Sequence, residues 1–260
     1  MKNVLMGALW GAALFAAVAS SGVARAEGRA ARVKVVTYNV HNGLGEDGVR
    51  DYARIGRLIR RSGAAVAAIQ EVDSVTRRSG GRDVLGEIAR AAGMHPLFGR
   101  AIAYDGGAYG IGILCREKPL VVRRIPLPGR EEARALLVAE FEEFVFACVH
   151  LSLTEEDRMA SVEAIRAEAV RSGKPFVLAG DWNAQPCEPL LERLRENGFR
   201  VVSDVAQPTY PAGRPDECID YIALYEPEGV CVEARKPRVV AEKRASDHRP
   251  VAMTLRLPVR

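Results

Sequence analysis

None of the five cysteines of this 260-residue sequence falls in a Cys-x-x-Cys spacing, which argues against zinc-ribbon and dithiol redox chemistry. Long runs of lysine or arginine are missing too, and 37 basic residues stand against 33 acidic ones. Nucleic-acid binders usually advertise a basic face, so the balance weakens a nuclease reading without removing it. Past residue 26 no stretch approaches the roughly 20 apolar residues of a membrane span, which argues against stable membrane insertion. Linkers and internal repeats are lacking as well. One large α/β domain is the simplest organisation for the remaining length.

The first 26 residues are of another kind. Met1-Lys2 precedes an apolar run over residues 4–18, and Ala24-Arg25-Ala26 stands just before Glu27. A positive start, a short apolar core and an A-x-A site predict a secretory signal peptide. Cleavage after Ala26 would leave a single catalytic domain over residues 27–260, periplasmic or secreted. Without Lys2 and Arg25 the balance falls to 35 basic against 33 acidic residues.

The chemistry is concentrated in six short polar signatures. They are Thr37-Tyr38-Asn39, Gln70-Glu71, His150, Gly180-Asp181-Trp182-Asn183, Ile219-Asp220-Tyr221 and Ser246-Asp247-His248. Apolar, strand-like runs precede four of them, at residues 33–36, 65–69, 144–149 and 176–179. Each run reads as a buried strand that delivers a polar side chain at its carboxyl end, where open α/β sheets bind ligands. Helical periodicity over residues 49–61, 83–92, 155–170 and 188–197 alternates with these strands, and Thr154 is placed to cap the third helix. Hairpin-like pairs follow later in the chain. The mixture predicts an α/β fold of two mixed sheets packed face to face with helices outside. A closed eightfold barrel would need more crossover helices.

Each residue has a chemical reason to be there. Glu71 offers a hard anionic oxygen of the kind Mg²⁺ and Mn²⁺ prefer, and Asn39 can add an amide oxygen or orient bound water. Asp181 and Asn183, two apart on an extended segment, would point to one side and Trp182 to the other, into the core. A Gly-Asp-x-Asn turn with local side-chain bonds is the structural alternative. Asp220 beside His248 would fix the imidazole tautomer and raise its basicity. His150 by itself fits a satisfied core histidine equally well.

The ordered set resembles the endonuclease/exonuclease/phosphatase superfamily over residues 33–257, nearly the whole predicted mature chain. The resemblance implies a four-layer sandwich and metal-dependent hydrolysis of phosphate esters. It implies Glu71 as principal metal ligand, with Asn39 and Asp247 near the cation. Asp181 would activate water, Asn183 contact phosphate, Asp220–His248 form a buried pair, and His150 touch phosphate or protonate the leaving oxygen. Arg134 sits where relatives often carry a phosphate-facing arginine, and Tyr104 lies in a loop able to reach substrate. The segment Pro208-Thr209-Tyr210-Pro211 resembles a loop near the site. Pancreatic-type deoxyribonucleases join segments corresponding to Cys187 and Cys218 by a disulfide; a bridge here and two free thiols remain equal alternatives. One departure is Ile111, where many relatives carry Asn.

The expected activity is therefore an exported, monomeric, Mg²⁺- or Mn²⁺-dependent phosphoesterase. It would act on a small or flexible phosphodiester or phosphomonoester, since no long basic insertion or lipid-facing aromatic hairpin is present. A secreted nuclease and a non-catalytic binding module are the alternatives.

Overall fold

The computed structural model describes residues 31–258; the predicted signal peptide lies outside the described residues. In chain order the elements are β1 (Arg32–Asn39), α1 (Tyr52–Ser62), β2 (Val66–Ser74), α2 (Val84–Ala92), β3 (His95–Tyr104), β4 (Gly107–Cys115), β5 (Val121–Leu127) and β6 (Arg134–Glu140). Then come β7 (Val145–His150), α3 (Glu155–Ser172), β8 (Phe176–Asp181), α4 (Pro189–Glu196), β9 (Phe199–Val201), β10 (Asp220–Tyr225), β11 (Glu233–Val239) and β12 (Val251–Arg256).

The strands form two six-stranded sheets, in the orders β11-β12-β1-β2-β4-β3 and β5-β6-β7-β8-β10-β9. Each sheet has one parallel pair near its centre, β1 with β2 and β7 with β8, flanked by antiparallel partners. Period-2 alternation splits the central strands between two cores. Val33, Val35, Ile113, Leu137, Phe146, Val177, Ile222 and Met253 interdigitate between the sheets. Val36, Ile69 and Leu114 face α1 and α2 on the outside of the first sheet. Leu136, Leu178 and Ala223 face α3 and α4 outside the second. The result is the four-layer sandwich expected.

Local signals set most helix ends. Asp51 and Asp83 accept hydrogen bonds from the backbone N–H groups of Arg54 and Gly86, at 2.8 and 3.1 Å. Gly63, Gly93 and Gly173 end α1, α2 and α3 in the left-handed conformation. Thr154 departs from expectation, since its hydroxyl donates to Glu131 at 3.3 Å and makes no cap bond. The acids Glu155, Glu156 and Asp157 still occupy the first turn of α3, where the helix dipole favours them.

Two stretches read differently from the sequence. β3 carries no clear alternation, because its residues are mostly half-buried or exposed, and it is stabilised by pairing with β4 along its length. The sequence reads as a strand over residues 230–234, whereas β11 begins three residues after the start of that run, at Glu233, and continues to Val239.

Candidate active site

The parallel pairs bring the signatures together. Asn39 ends β1 beside Gln70 of β2, and His150 ends β7 beside Asp181 of β8. Asp220 opens β10 directly opposite Asp181. Ser246-Asp247-His248 lies in the loop before β12, which runs antiparallel to β1. Two sheets facing each other therefore aim one end of each at a common point.

Asp181 is the centre of that point. Its Oδ2 accepts a hydrogen bond of 2.9 Å from Asn39 Nδ2. His150 Nε2 and His248 Nε2 stand 3.6 and 3.7 Å from the same oxygen. Asn39 Nδ2 also donates to Glu71 Oε1 at 3.0 Å, while its amide oxygen accepts from the His41 N–H. His248 Nδ1–H donates to Asp220 Oδ2 at 2.9 Å, which leaves Nε2 turned toward Asp181. Among the described residues, Asp220 Oδ1 is buried without a hydrogen-bond partner.

Burial sets the two imidazoles apart. It holds His150 down to about 4, against the pull of Asp181. Burial also opposes charge on His248, but Asp220, with Asp181 and Asp247, outweighs it and pushes the group up to about 10. Asp181 itself is raised, chiefly by desolvation, with both histidines and the Asn39 amide opposing.

Glu71 owes its aim to a backbone irregularity. The β2–β4 register shifts between Ile69 and Val72, and Glu71 takes φ 58° at that bulge. Left-handed backbone is uncommon for a non-glycine residue and is concentrated at functional positions. Gly180 has a different reason to be there: a Cβ would lie 2.1 Å from the Val149 carbonyl oxygen on β7. The glycine of Gly-Asp-Trp-Asn is thus demanded by strand packing.

Asn183 does not continue an extended strand. β8 ends at Asp181, Asn183 has φ 49°, and its N–H donates to Asp181 Oδ1 at 3.0 Å. The local turn coexists with the site and holds Asp181 in place. Asn183 Nδ2 donates to the Leu151 carbonyl at 2.9 Å. Trp182 is fully buried against Tyr221, with ring centroids 4.7 Å apart.

The remaining expected residues divide. Arg134 is buried and its guanidinium pairs with Glu131 and Glu132 at 3.1 and 3.2 Å. It lies on β6, one strand in from the edge. Tyr104 is exposed at the tip of the β3–β4 hairpin. Ile111 fills the inter-sheet core. Tyr210 packs beside His248 with ring centroids 4.8 Å apart. The Thr209 hydroxyl accepts from the N–H groups of Ile219 and Asp220. Cys187 and Cys218 are free thiols, Cys218 buried in the core outside the second sheet and Cys187 exposed.

Arg78 and His41 were not legible beforehand. Arg78 grips buried Asp73 with two bonds of 2.7 Å and lies over the rings of Tyr104 and Tyr109, at 4.5 and 5.3 Å. His41 Nδ1 stands 3.6 Å from Asp247 Oδ2. Their one sequence signal is proximity, Arg78 seven residues after Glu71 and His41 two after Asn39.

A cation would find, among the described residues, one donor cluster and two further carboxylates, Glu71 and Asp247. Asp181, Asp220 and His248 place donor atoms within 4.8 Å of one another, but Asp220 Oδ2 and His248 Nδ1 already satisfy each other. Glu71 fits better. Its carboxylate receives the Asn39 bond, and among the described residues no lysine or arginine lies within ion-pair distance. Asp247 is similarly open, with Ser246 Oγ at 3.2 Å from Oδ1. Under-satisfied hard oxygens suit Mg²⁺ or Mn²⁺.

The family model described as "Endonuclease/Exonuclease/phosphatase family" matches residues 36–248. No curated protein matches the sequence. Among solved structures, a family protein of Bacteroides thetaiotaomicron is 18% identical with TM-score 0.72, covering 89% of this chain and 100% of its own. A family protein of Beutenbergia cavernae is 22% identical with TM-score 0.68, over 88% of this chain and 72% of its own. A mannosyl-6-phosphatase of Bacteroides thetaiotaomicron is 18% identical with TM-score 0.69, over 86% and 99%. At these identities the structures speak for the fold, and the sequence model spans every residue from the end of β1 to His248. This chain belongs to the endonuclease/exonuclease/phosphatase family.

Proposed function

We propose that this protein is an exported, Mg²⁺- or Mn²⁺-dependent hydrolase of small phosphate esters. The carrying observation is the convergence on Asp181 Oδ2 of Asn39 Nδ2 and two imidazole nitrogens, with Glu71 accepting from the same Asn39 Nδ2. Such a cluster offers an acceptor for a water proton next to donors for phosphoryl oxygens.

Glu71, Asp247 and Asn39 would hold the cation, which supplies Lewis-acid withdrawal of phosphoryl charge when bound. Asp181 orients the attacking water and accepts its proton, held in place by the Asn183 N–H and Asn39 Nδ2. Asp220 fixes the His248 ring so that Nε2 faces the reacting phosphate. His150, kept neutral by burial, completes the phosphate contacts or relays a proton to the leaving oxygen.

A small substrate is favoured by the state of the nearby cations. Arg134 is paired with two glutamates and Arg78 with Asp73, so neither is a loose charge for tracking a long polyanion. Mannosyl-6-phosphatase and 2′,3′-cyclic phosphatase activities are named among proteins of this fold, which supports the same class. The decisive experiment assays an aryl monoester, a bis-aryl diester, sugar phosphates, inositol phosphates and supercoiled plasmid, with Mg²⁺ and then with chelator. Preference for the small esters, abolished by chelator and by Asp181→Asn, is expected. Efficient plasmid nicking that depends on Asp181 would replace the reading with a nuclease, and full activity in chelator would remove the metal.

A further inference from the structure

A cavity of about 560 Å³ lies away from the hydrolytic site. It lies against the outer face of the first sheet, at the amino end of β1. Arg32 and Asn39 are seven residues apart on that strand, which is about 23 Å. Arg32 and Lys34 line the groove from β1, Arg256 from β12, Arg235 and Arg238 from β11, and Arg116 from the end of β4. No carboxylate is among the lining residues.

Register orders these charges. Arg256 of β12 stands between Glu233 and Arg32, and Thr254 between Arg235 and Lys34. Ala252 stands between Arg238 and Val36. Small residues on the middle strand therefore form a trough. Its cationic walls, Lys34 and Arg235, are two strand spacings apart, about 10 Å. Successive ranks follow at about 7 Å along the strands.

The charge is poorly compensated. Glu233 reaches Arg235 at 2.6 Å and Arg256 at 3.8 Å. No carboxylate among the described residues pairs with Arg32, Lys34, Arg238 or Arg116. Arg32 and Arg256 are direct cross-strand partners, an arrangement that destabilises a sheet. Edge protection accounts for part of the pattern: β11 is an edge strand, with Lys236 at φ 55° and Pro237 inside its bulge. It does not account for Arg32, Lys34 and Arg256, which stand on the two strands inside that edge.

We propose that this trough is a binding site for a soluble oligophosphate chain, separate from the hydrolytic site. Phosphate groups in line would lie along the trough between facing cations, and guanidinium groups suit phosphate oxygens bidentately. The lining contains no aromatic side chain, so it lacks the stacking platform of single-stranded nucleic-acid binders. Its concavity and lack of large exposed apolar side chains also disfavour a flat lipid surface.

The test is calorimetric titration with inorganic tripolyphosphate in excess chelator, which separates it from any question of hydrolysis. Binding should weaken steeply from 50 to 200 mM salt, and orthophosphate should bind at least tenfold more weakly. The triple variant Lys34→Gln, Arg235→Gln, Arg238→Gln should lose at least tenfold in tripolyphosphate affinity, with its thermal midpoint and aryl-phosphate hydrolysis unchanged. Separately, Arg32→Gln should keep or raise the midpoint by relieving the facing Arg256. The proposal fails if the folded triple variant binds like the parent, or if orthophosphate matches tripolyphosphate. It also fails if phosphatidylserine vesicles or an oligothymidylate bind more tightly than tripolyphosphate through the same three residues.

Discussion

The two sheets furnish unlike parts of one site. The first sheet and its loops carry Asn39, whose side-chain amide bonds both Glu71 and Asp181, and the carboxylates of Glu71 and Asp247, which no lysine or arginine pairs with among the described residues and which suit a hard cation. The second carries His150, Asp181, Asn183 and Asp220, which are buried or tied down by hydrogen bonds. Two links join them: the Asn39–Asp181 bond, and His248, which belongs to a loop of the first sheet but bonds to Asp220 of the second. On the proposed mechanism, charge withdrawal and proton handling would stand on separate scaffolds, aligned by an inter-sheet core that includes Phe146, Val177, Ile222, Val35, Ile113 and Met253.

The division can be broken on the second sheet first. Asp181→Asn keeps the shape but removes the proton acceptor, and turnover should fall by about 10³- to 10⁴-fold. A far smaller loss, with the thermal midpoint unchanged, would take Asp181 out of the proton-handling role. On the first sheet, Glu71→Gln should cost about 10²-fold at low metal and be partly rescued by excess Mg²⁺. An equal loss at every metal concentration would contradict a ligand role. The bridging group is tested by Asp220→Asn, expected to cost at least about tenfold in turnover and to shift the pH–rate profile. If rate and profile are both unchanged, the link through His248 is not catalytic.

The smallest effect sharpens the contrast through stability. A histidine unfolded at about 6.5 but held at about 4 when folded makes the unfolded state bind more protons between those values. Its contribution is present above about 6.5 and is lost as pH falls toward 4, on the order of 3 kcal/mol. His150→Gln should therefore flatten the acid limb of stability measured by denaturant titration. An acid limb as steep as the parent's would contradict the depressed value.

Much of this was legible in residues because the parallel pairs obey a simple rule: apolar run, then polar group at the carboxyl end. Asn39, His150 and Asp181 follow it, Glu71 departs from it by sitting at a bulge inside β2, which runs on to Ser74, and Asp220–His248 could be paired by chemistry. What escaped was tertiary. Arg78 is positioned by buried Asp73 and two tyrosines from another hairpin, and no local pattern announces that. β3 lacks a buried face of its own. Asn183 turns left-handed because the strand stops two residues earlier, and strand alternation cannot foresee where pairing ends. Arg134 was placed by resemblance alone, and its pairing with Glu131 and Glu132 is a tertiary fact.

The pairing of β12 with β1 has a consequence for the order of assembly. During synthesis β1 emerges early, but its neighbour on that side is the last strand of the described chain. Asp247 and His248 travel immediately ahead of β12. A nascent chain halted before Ser246 can bury most of its inter-sheet core yet lacks the His248 imidazole. On the proposed reading of the site, turnover would wait on the loop before β12, whose closure onto the first sheet delivers the imidazole last in chain order.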